Sequence, residues 1–117
     1  MLVVTFAATG AGNCVEVADA PYVYARTASG GFVMGAACPH RGGPLHLADV
    51  SADGRQVRCP WHGGRVSVAR LRRQVASVRR GGSVTAVFSV PPGTPTRVRH
   101  VPVAAALCAA GGGEPAC

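Results

Sequence analysis

Two short stretches that share one composition decide how this chain is interpreted. The first is Cys38-Pro39-His40-Arg41-Gly42-Gly43-Pro44-Leu45, and the second is Cys59-Pro60-Trp61-His62-Gly63-Gly64. Each stretch holds one cysteine, one histidine and two adjacent glycines, and a proline follows each cysteine. Proline and glycine at this density favour loops over helices or strands. We therefore interpret the two stretches as compact loops that carry a common binding site.

The candidate ligands in these loops are Cys38, His40, Cys59 and His62. Two thiolates and two imidazoles could hold a single zinc ion, which is usually four-coordinate in structural sites. However, zinc knuckles usually space their ligands more widely than the Cys-x-His of the first loop. Two irons bridged by sulfide relax that constraint, because one iron can take both cysteines and the other both histidines. The residue pattern alone is compatible with a zinc ion and with a two-iron cluster, and it favours the cluster.

Outside the two loops the sequence is typical of short β-strands joined by turns. Runs rich in β-branched and aromatic residues are separated by turn signals such as Asp53-Gly54. The predicted strands cover residues 14–17, 22–25, 31–34, 55–58, 66–68, 84–88 and 97–99. Residues 71–78 fit a helix or a strand equally well. Many short strands with regular turns favour an all-β fold, an antiparallel sandwich or a small barrel.

The length of 117 residues fits one small domain. We expect that domain to span residues 1–110 and residues 111–117 to form a flexible C-terminal tail. The N-terminus lacks the features of a secretory signal, and no apolar run reaches the length of a membrane helix. We therefore expect a cytoplasmic location, where clustered cysteine and histidine indicate metal binding rather than disulfides.

Charge is distributed unevenly along the chain. All 12 basic residues are arginine, and ten of them lie between Asp53 and Glu114 with no acid among them. Such a positively charged region could bind nucleic acid, an anionic surface or an acidic protein. The region lacks the interleaved aromatic residues of nucleic-acid stacking platforms. A docking surface for an acidic protein is therefore favoured over nucleic acid, with a generic solvated face as the other interpretation.

The paired loops resemble the two boxes of Rieske ferredoxins and of the ferredoxin-like domains of Rieske oxygenases, and the similarity runs roughly from Val15 to Val68. This resemblance implies a Rieske-like antiparallel β-fold with the cluster-binding loops at one tip. It also implies one Rieske-type [2Fe–2S] cluster per chain, with exposed histidine ligands. The ligands carried over are Cys38, His40, Cys59 and His62.

The chain departs from the family pattern at several positions. Respiratory Rieske proteins carry an extra cysteine in each box, joined by a disulfide, where this chain has Gly43 and Trp61. That difference favours the soluble ferredoxin type. A polar residue that often supports the cluster is replaced by Gly63-Gly64, and the usual aromatic residue and aspartate by Val66-Ser67. Beyond Val68 the similarity is lost.

The resemblance implies an electron carrier rather than an enzyme. Such a carrier would take one electron from a flavin-dependent reductase and pass it to a terminal oxygenase. A whole oxygenase also needs a mononuclear iron held by two histidines and a carboxylate, and only His46 and His100 remain free for that purpose. Two alternatives stay open: a Rieske-type small subunit of a larger reductase, similar to that of assimilatory nitrite reductase, and a non-redox accessory protein that binds zinc.

Overall fold

A computed structural model describes residues 1–38, 42–61 and 63–108. The expected ligands His40 and His62 lie outside the described residues, as do Arg41 and the expected tail of residues 111–117. In chain order the described strands are β1 (Leu2–Ala7), β2 (Cys14–Val17), β3 (Ala20–Thr27), β4 (Gly30–Gly35), β5 (Asp49–Val50), β6 (Gln56–Arg58), β7 (Arg65–Ser67), β8 (Ala76–Arg80), β9 (Ser83–Phe88) and β10 (Thr96–Arg99). A helix, α1 (Val68–Gln74), and two single 3-10 turns, Leu45–Leu47 and Ala105–Leu107, complete the described elements.

The strands form three antiparallel sheets, so the expected all-β antiparallel fold is confirmed. The central sheet has the order β10-β2-β3-β4, and the second sheet has the order β1-β9-β8. A third, small sheet has the order β5-β6-β7 and carries the second of the two loops between β6 and β7. Among the described residues, no helix is long and apolar enough to cross a membrane.

Strands β2 and β4 of the central sheet have buried apolar side chains at successive positions, so both of their faces are covered, whereas the edge strand β10 is exposed. On β4, Val33 faces the second sheet, whereas Phe32 and Met34 face the small sheet. Two cores result. The scaffold core contains Phe6, Ala8, Val15, Val17, Val33, Val75, Val84, Ala86 and Phe88. The loop core contains Cys14, Val23, Ala25, Phe32, Met34, Ala36, Cys38, Leu45, Ala48, Val57, Cys59, Val66, Val68, Leu71, Val101 and Leu107.

The turn before β6 fixes the small sheet against the central one, and the predicted turn at Asp53-Gly54 is confirmed. The Asp53 carboxylate accepts hydrogen bonds from the Ser51 hydroxyl at 2.6 Å and from the Arg55 amide at 3.0 Å. The Gly54 carbonyl then accepts a bond from the Thr27 hydroxyl at 2.8 Å. Because Gly54 has a φ of 72° and a Cβ there would lie 2.8 Å from a backbone nitrogen of the β3–β4 turn, glycine is required.

The predicted strands are confirmed in the main, with three differences. Residue 68 is not in a strand, because Ser67 ends β7 and caps the helix, its hydroxyl accepting from the Arg70 amide at 3.4 Å. The ambiguous residues 71–78 are divided, with the helix ending at Gln74 and β8 beginning at Ala76. Two strands were not predicted: β1, which pairs along its whole length with β9, and the two-residue strand β5.

The C-terminal segment of residues 101–108 packs over the loop core. Its anchor is Asn13, which is 1% exposed and bonds both backbone groups of Val101. The Asn13 amide nitrogen donates to the Val101 carbonyl at 2.8 Å, and its oxygen accepts from the Val101 amide at 2.9 Å. Further along, the Ala104 amide donates to the His46 carbonyl at 2.8 Å. The segment therefore covers the residues that follow the first loop.

Candidate metal centre

The first loop, residues 38–43, leaves β4 and returns through an isolated bridge between Ala37 and Pro44. The Cys38 amide donates to the Gly43 carbonyl at 2.7 Å, and the Gly42 amide donates back to the Cys38 carbonyl at 2.8 Å. Gly42 has a φ of 72°, in the left-handed region that glycine adopts without steric cost. Two hydrogen bonds and one left-handed glycine thus close the loop on its own cysteine.

The second loop, residues 59–64, repeats this arrangement position for position. The Cys59 amide donates to the Gly64 carbonyl at 2.9 Å, and the Gly63 amide donates to the Cys59 carbonyl at 2.9 Å. Gly63 has a φ of 66°. The shared Cys-Pro-x-x-Gly-Gly composition therefore encodes one backbone frame used twice. Within that frame the histidine is the third residue of the first loop and the fourth residue of the second.

The two loops meet at Gly43, which is buried between them. A Cβ built on Gly43 would lie 3.0 Å from the Cys59 sulfur and 3.1 Å from Cγ of Trp61. A side chain at position 43 would require the Cys59 sulfur or the Trp61 ring to shift by a few tenths of an ångström. Positions 43 and 61, where respiratory Rieske proteins carry their disulfide, are thus neighbours in this chain as well.

The thiols of both loop cysteines are withdrawn from water. Cys38 is 5% exposed and Cys59 is 1% exposed, and both belong to the loop core. Bonding to a metal stabilises the thiolate form of a cysteine. Two buried sulfurs on two adjoining loops are suited to hold a metal centre at the surface end of this core.

The residues present fit a binuclear iron centre. Among the described residues, no group of three or more metal-binding side chains comes together, and His40 and His62 lie outside that part of the chain. The structure therefore brings together the loops that carry Cys38 and Cys59, and the two histidine positions follow from the sequence. Two thiolates and two imidazoles are the donor set of a Rieske-type [2Fe–2S] cluster.

The third cysteine of the described chain near this core is not suited to ligation. Cys14 lies on β2 and has no exposed surface. Burial raises the pKa of its thiol, and Cys14 belongs to neither of the two loops. Cys14 is therefore an apolar core residue outside the two loops, and it serves as an internal control for the loop cysteines.

Trp61 covers the junction of the loops from the solvent side. Its ring contacts the position where a Gly43 side chain would stand, yet 61% of the residue is exposed. Together with His46, Arg99 and Val101 it lines an open cleft of about 240 Å³ beside the first loop. An exposed tryptophan at this place shields the loop backbone and still presents an aromatic face to solvent.

The two histidines outside the loops have different surroundings. His46 is half-buried, and its Nδ1 donates to the Pro102 carbonyl at 2.6 Å. His46 therefore helps to hold the C-terminal segment in place. His100 is exposed, as expected. This structural role of His46 was missed because its partner lies 56 positions away in the sequence.

Several arginines in the arginine-rich half of the chain form contacts within the protein. The Glu16 carboxylate bridges two arginines of β10, accepting from Arg97 at 2.9 Å and from Arg99 at 2.7 Å. The hydrogen bond from Arg99, followed by that from Arg97, holds the pKa of Glu16 below its usual value. Arg72 donates to the Ser29 carbonyl at 3.1 Å and lies over the ring of Phe32. These arginines stabilise the fold.

Two other arginines flank the second loop and remain exposed. Arg58 is the last residue of β6, Arg65 is the first of β7, and the two stand directly opposite each other. Like charges directly opposite on neighbouring strands destabilise a sheet. This pair is therefore a feature that the fold tolerates rather than requires.

Comparison with known proteins assigns the chain to a family. A model of the Rieske [2Fe–2S] domain matches residues 5–70, more than half of the chain, from β1 to α1. The chain belongs to the Rieske [2Fe–2S] domain family, a class of iron–sulfur electron-transfer domains, and this membership implies a Rieske-type [2Fe–2S] cluster. No curated protein and no solved structure matches it.

Proposed function

We propose that this chain is a one-electron carrier whose cluster is held by Cys38, His40, Cys59 and His62. The observation that carries the proposal is the close meeting of the two matched loops at Gly43. When bound, the cluster supplies a one-electron couple, and imidazoles in place of two thiolates raise its potential above that of an all-cysteine cluster.

The described residues contribute three things to that role. The hydrogen bonds from the Cys38 and Cys59 amides fix the backbone of each ligand residue. The buried cysteines exclude water from the sulfur side of the centre. The packing of Trp61 on the first loop limits relative movement of the two loops. A rigid, dry ligand cage suits electron transfer, because little rearrangement accompanies a change of one charge.

We further propose that the chain passes electrons from a flavin-dependent reductase to a terminal oxygenase. The resemblance of its two loops to those of Rieske ferredoxins supports this assignment. The formal net charge of +7 supports partners with acidic docking surfaces. The chain itself then performs no bond-making chemistry.

The cofactor is tested on protein purified without oxygen. We expect two irons and two acid-labile sulfides per chain, no zinc, and a rhombic electron paramagnetic resonance signal of low average g value after reduction. A colourless preparation that contains zinc and lacks labile sulfide would refute the carrier function and favour the zinc-binding accessory protein.

The ligand set is tested by single substitutions with matched controls. Replacement of a ligand should abolish the Rieske signal and release iron, whereas the controls should keep both. The ligand variants are Cys38→Ser, His40→Ala, Cys59→Ser and His62→Ala. The controls are Cys14→Ala, which removes a buried thiol, and His100→Ala, which removes an exposed imidazole. A Cys59→Ser protein with a full cluster would rule out this assignment.

The partner class is tested by copurification and by electron transfer. A free carrier should be isolated alone and should be reduced by NADH only when a flavin-dependent ferredoxin reductase is added. Stable copurification with a large flavin- or haem-bearing chain would contradict the mobile carrier and indicate a subunit of a larger reductase.

A further inference from the structure

The outward side of the small sheet carries a second candidate site, next to the metal centre but made of different residues. We define the arginine face as Gln56, Arg58 and Arg65. The adjacent residues Val57 and Val66 point into the loop core, and because side chains alternate along a strand, the three residues of the arginine face point to the other side. Ser51 and Ala52 border it, and together these residues line an open cleft of about 200 Å³.

The charge of this face is unbalanced. Arg58 faces Arg65 across β6 and β7, and Asp49 on β5 stands opposite Arg58 on its other side. Because β7 is the edge of the small sheet, Arg65 has a strand neighbour on one side only, and that neighbour is Arg58. Among the described strand pairs, no acid therefore stands opposite Arg65. The two ion pairs found in the described chain both involve Glu16, on the central sheet. Arg65 is thus exposed, and among the described residues no acid forms an ion pair with it.

The position of the arginine face relates it to electron exchange. Arg58 directly precedes Cys59, and Arg65 directly follows Gly64, whose carbonyl accepts the hydrogen bond that closes the second loop. The two arginines therefore form the last rung of the hairpin below that loop. A protein bound here would lie against the loop that carries two of the four proposed ligands.

We propose that the arginine face is the docking surface for an acidic patch of the redox partner, with partner carboxylates received between Arg58 and Arg65. Arginine binds carboxylates with paired hydrogen bonds, and opposite charges around a docking site raise the rate of encounter. A carboxylate between the two guanidinium groups also offsets their mutual repulsion, because Asp49 stands opposite Arg58 and not opposite Arg65. This inference rests on the proposed carrier function and names the surface through which that function operates.

The test uses the intact protein, loaded with its cluster, and two inorganic oxidants of opposite charge. Ferricyanide and hexaamminecobalt(III) each take one electron from the reduced protein, and no bond to the protein forms or breaks. At about 10 mM ionic strength, Arg65→Glu should slow oxidation by ferricyanide about threefold to tenfold and accelerate oxidation by the cobalt complex. Arg80→Glu, which removes the same charge from β8 in the second sheet, should change both rates much less.

This design separates docking charge from other effects. A change in driving force alone would move the rates with both oxidants in the same direction, and that result would overturn the proposal. Equal effects of Arg65→Glu and Arg80→Glu would also overturn it. Cluster content and the resonance signal are measured first in each protein. If the wild-type protein has no cluster, the carrier function fails, whereas an intact cluster with equal rates refutes only the docking surface.

A competition experiment identifies the class of partner. Poly-L-glutamate, as a probe of an acidic protein surface, should slow the ferricyanide reaction of the wild-type protein and of Arg80→Glu but not that of Arg65→Glu. If duplex DNA of equal charge concentration competes through Arg65 and poly-L-glutamate does not, the arginine face binds nucleic acid and the proposal is wrong.

Discussion

Gly43 of the first loop and Cys59 of the second lie so close that a side chain at position 43 would place its first carbon 3.0 Å from the Cys59 sulfur. The contact joins two loops that lie 16 residues apart in the sequence, counting from Gly43 to Cys59. It makes the spacing of the two loops depend on the absence of one methyl group.

Gly43→Ala should therefore weaken the metal centre. The added methyl group meets the Cys59 sulfur and the Trp61 ring, and overpacking of this kind costs about 1–3 kcal/mol. We expect a reduced iron content and a lower free energy of unfolding in urea. Gly82→Ala is the control, because a Cβ there meets no atom within 4 Å and its φ is not positive. Equal stability of the two variants would show that the loops can separate freely.

A second prediction uses the neighbouring positions 43 and 61. The Cβ built on Gly43 lies 3.1 Å from Cγ of Trp61. Because Cγ is one bond from Cβ, the two Cβ positions lie at most about 4.6 Å apart, close to the roughly 3.5–4.5 Å that a disulfide spans. The double variant Gly43→Cys with Trp61→Cys should form a disulfide and raise the free energy of unfolding by about 3 kcal/mol under oxidising conditions. Thiol titration and mass spectrometry check the bond, and the same protein kept reduced is the control. Two free thiols after oxidation would place the positions too far apart.

A third prediction concerns the anchor of the C-terminal segment. Asn13→Ala removes both hydrogen bonds to Val101 and leaves two backbone groups buried without partners. Each such group costs about 1–3 kcal/mol, so we expect a loss of about 2–6 kcal/mol in urea unfolding. Asn13→Asp keeps the acceptor for the Val101 amide and is the graded comparison. A loss below about 1 kcal/mol in Asn13→Ala would mean that water replaces the side chain.

A fourth prediction concerns the reduction potential. Arg65 lies next to the second loop, and its positive charge favours the reduced, more negative form of the centre. Arg65→Glu should lower the midpoint potential by an amount on the order of 10 mV at low ionic strength, and less in high salt. Voltammetry of the adsorbed protein measures this shift, with Arg80→Glu as the control. An unchanged potential would show that solvent fully screens this charge.

A fifth prediction concerns acid stability. The pKa of Glu16 is lowered in the folded chain, first by the hydrogen bond from Arg99 and then by that from Arg97. A carboxyl group with a lowered pKa stabilises the fold above its unfolded pKa, and this contribution is lost as the pH falls through the folded value. Glu16→Gln should thus be less stable than the wild-type protein at pH 7, and the difference should shrink below about pH 4.5. Thermal unfolding from pH 3 to pH 7 measures the difference. A difference that is constant over this range would contradict the ion pairs.

Local patterns explain which parts of the fold and site were predictable. The loops, the turn at Asp53-Gly54 and most strands are encoded by residues close together in the sequence. The types and spacing of those residues therefore predicted these elements. Strand β1 was missed because its pairing with β9 joins residues more than 75 positions apart. The same applies to the bond between Asn13 and Val101, since nothing near either residue indicates the other.

The candidate site also has some features that local sequence predicts and others that depend on packing. The glycine doublets indicated tight loops, but the contact of Gly43 with Cys59 depends on how β4 and the small sheet pack together. The run of arginines in the sequence indicated a cationic region, but it did not show which arginines form ion pairs and which do not. Pairing across strands distinguishes Arg97 and Arg99, which share Glu16, from Arg65, which faces another arginine.

The division of the interior into two cores has a consequence for which half of the protein depends on the cluster. The scaffold core contains no cysteine, and its residues come from the first two and the later strands of the chain as well as from Val33 of β4. Its packing therefore requires no iron. The apolar contacts of this half are thus independent of the cluster, whereas the loop core includes the two cysteines proposed to bind it.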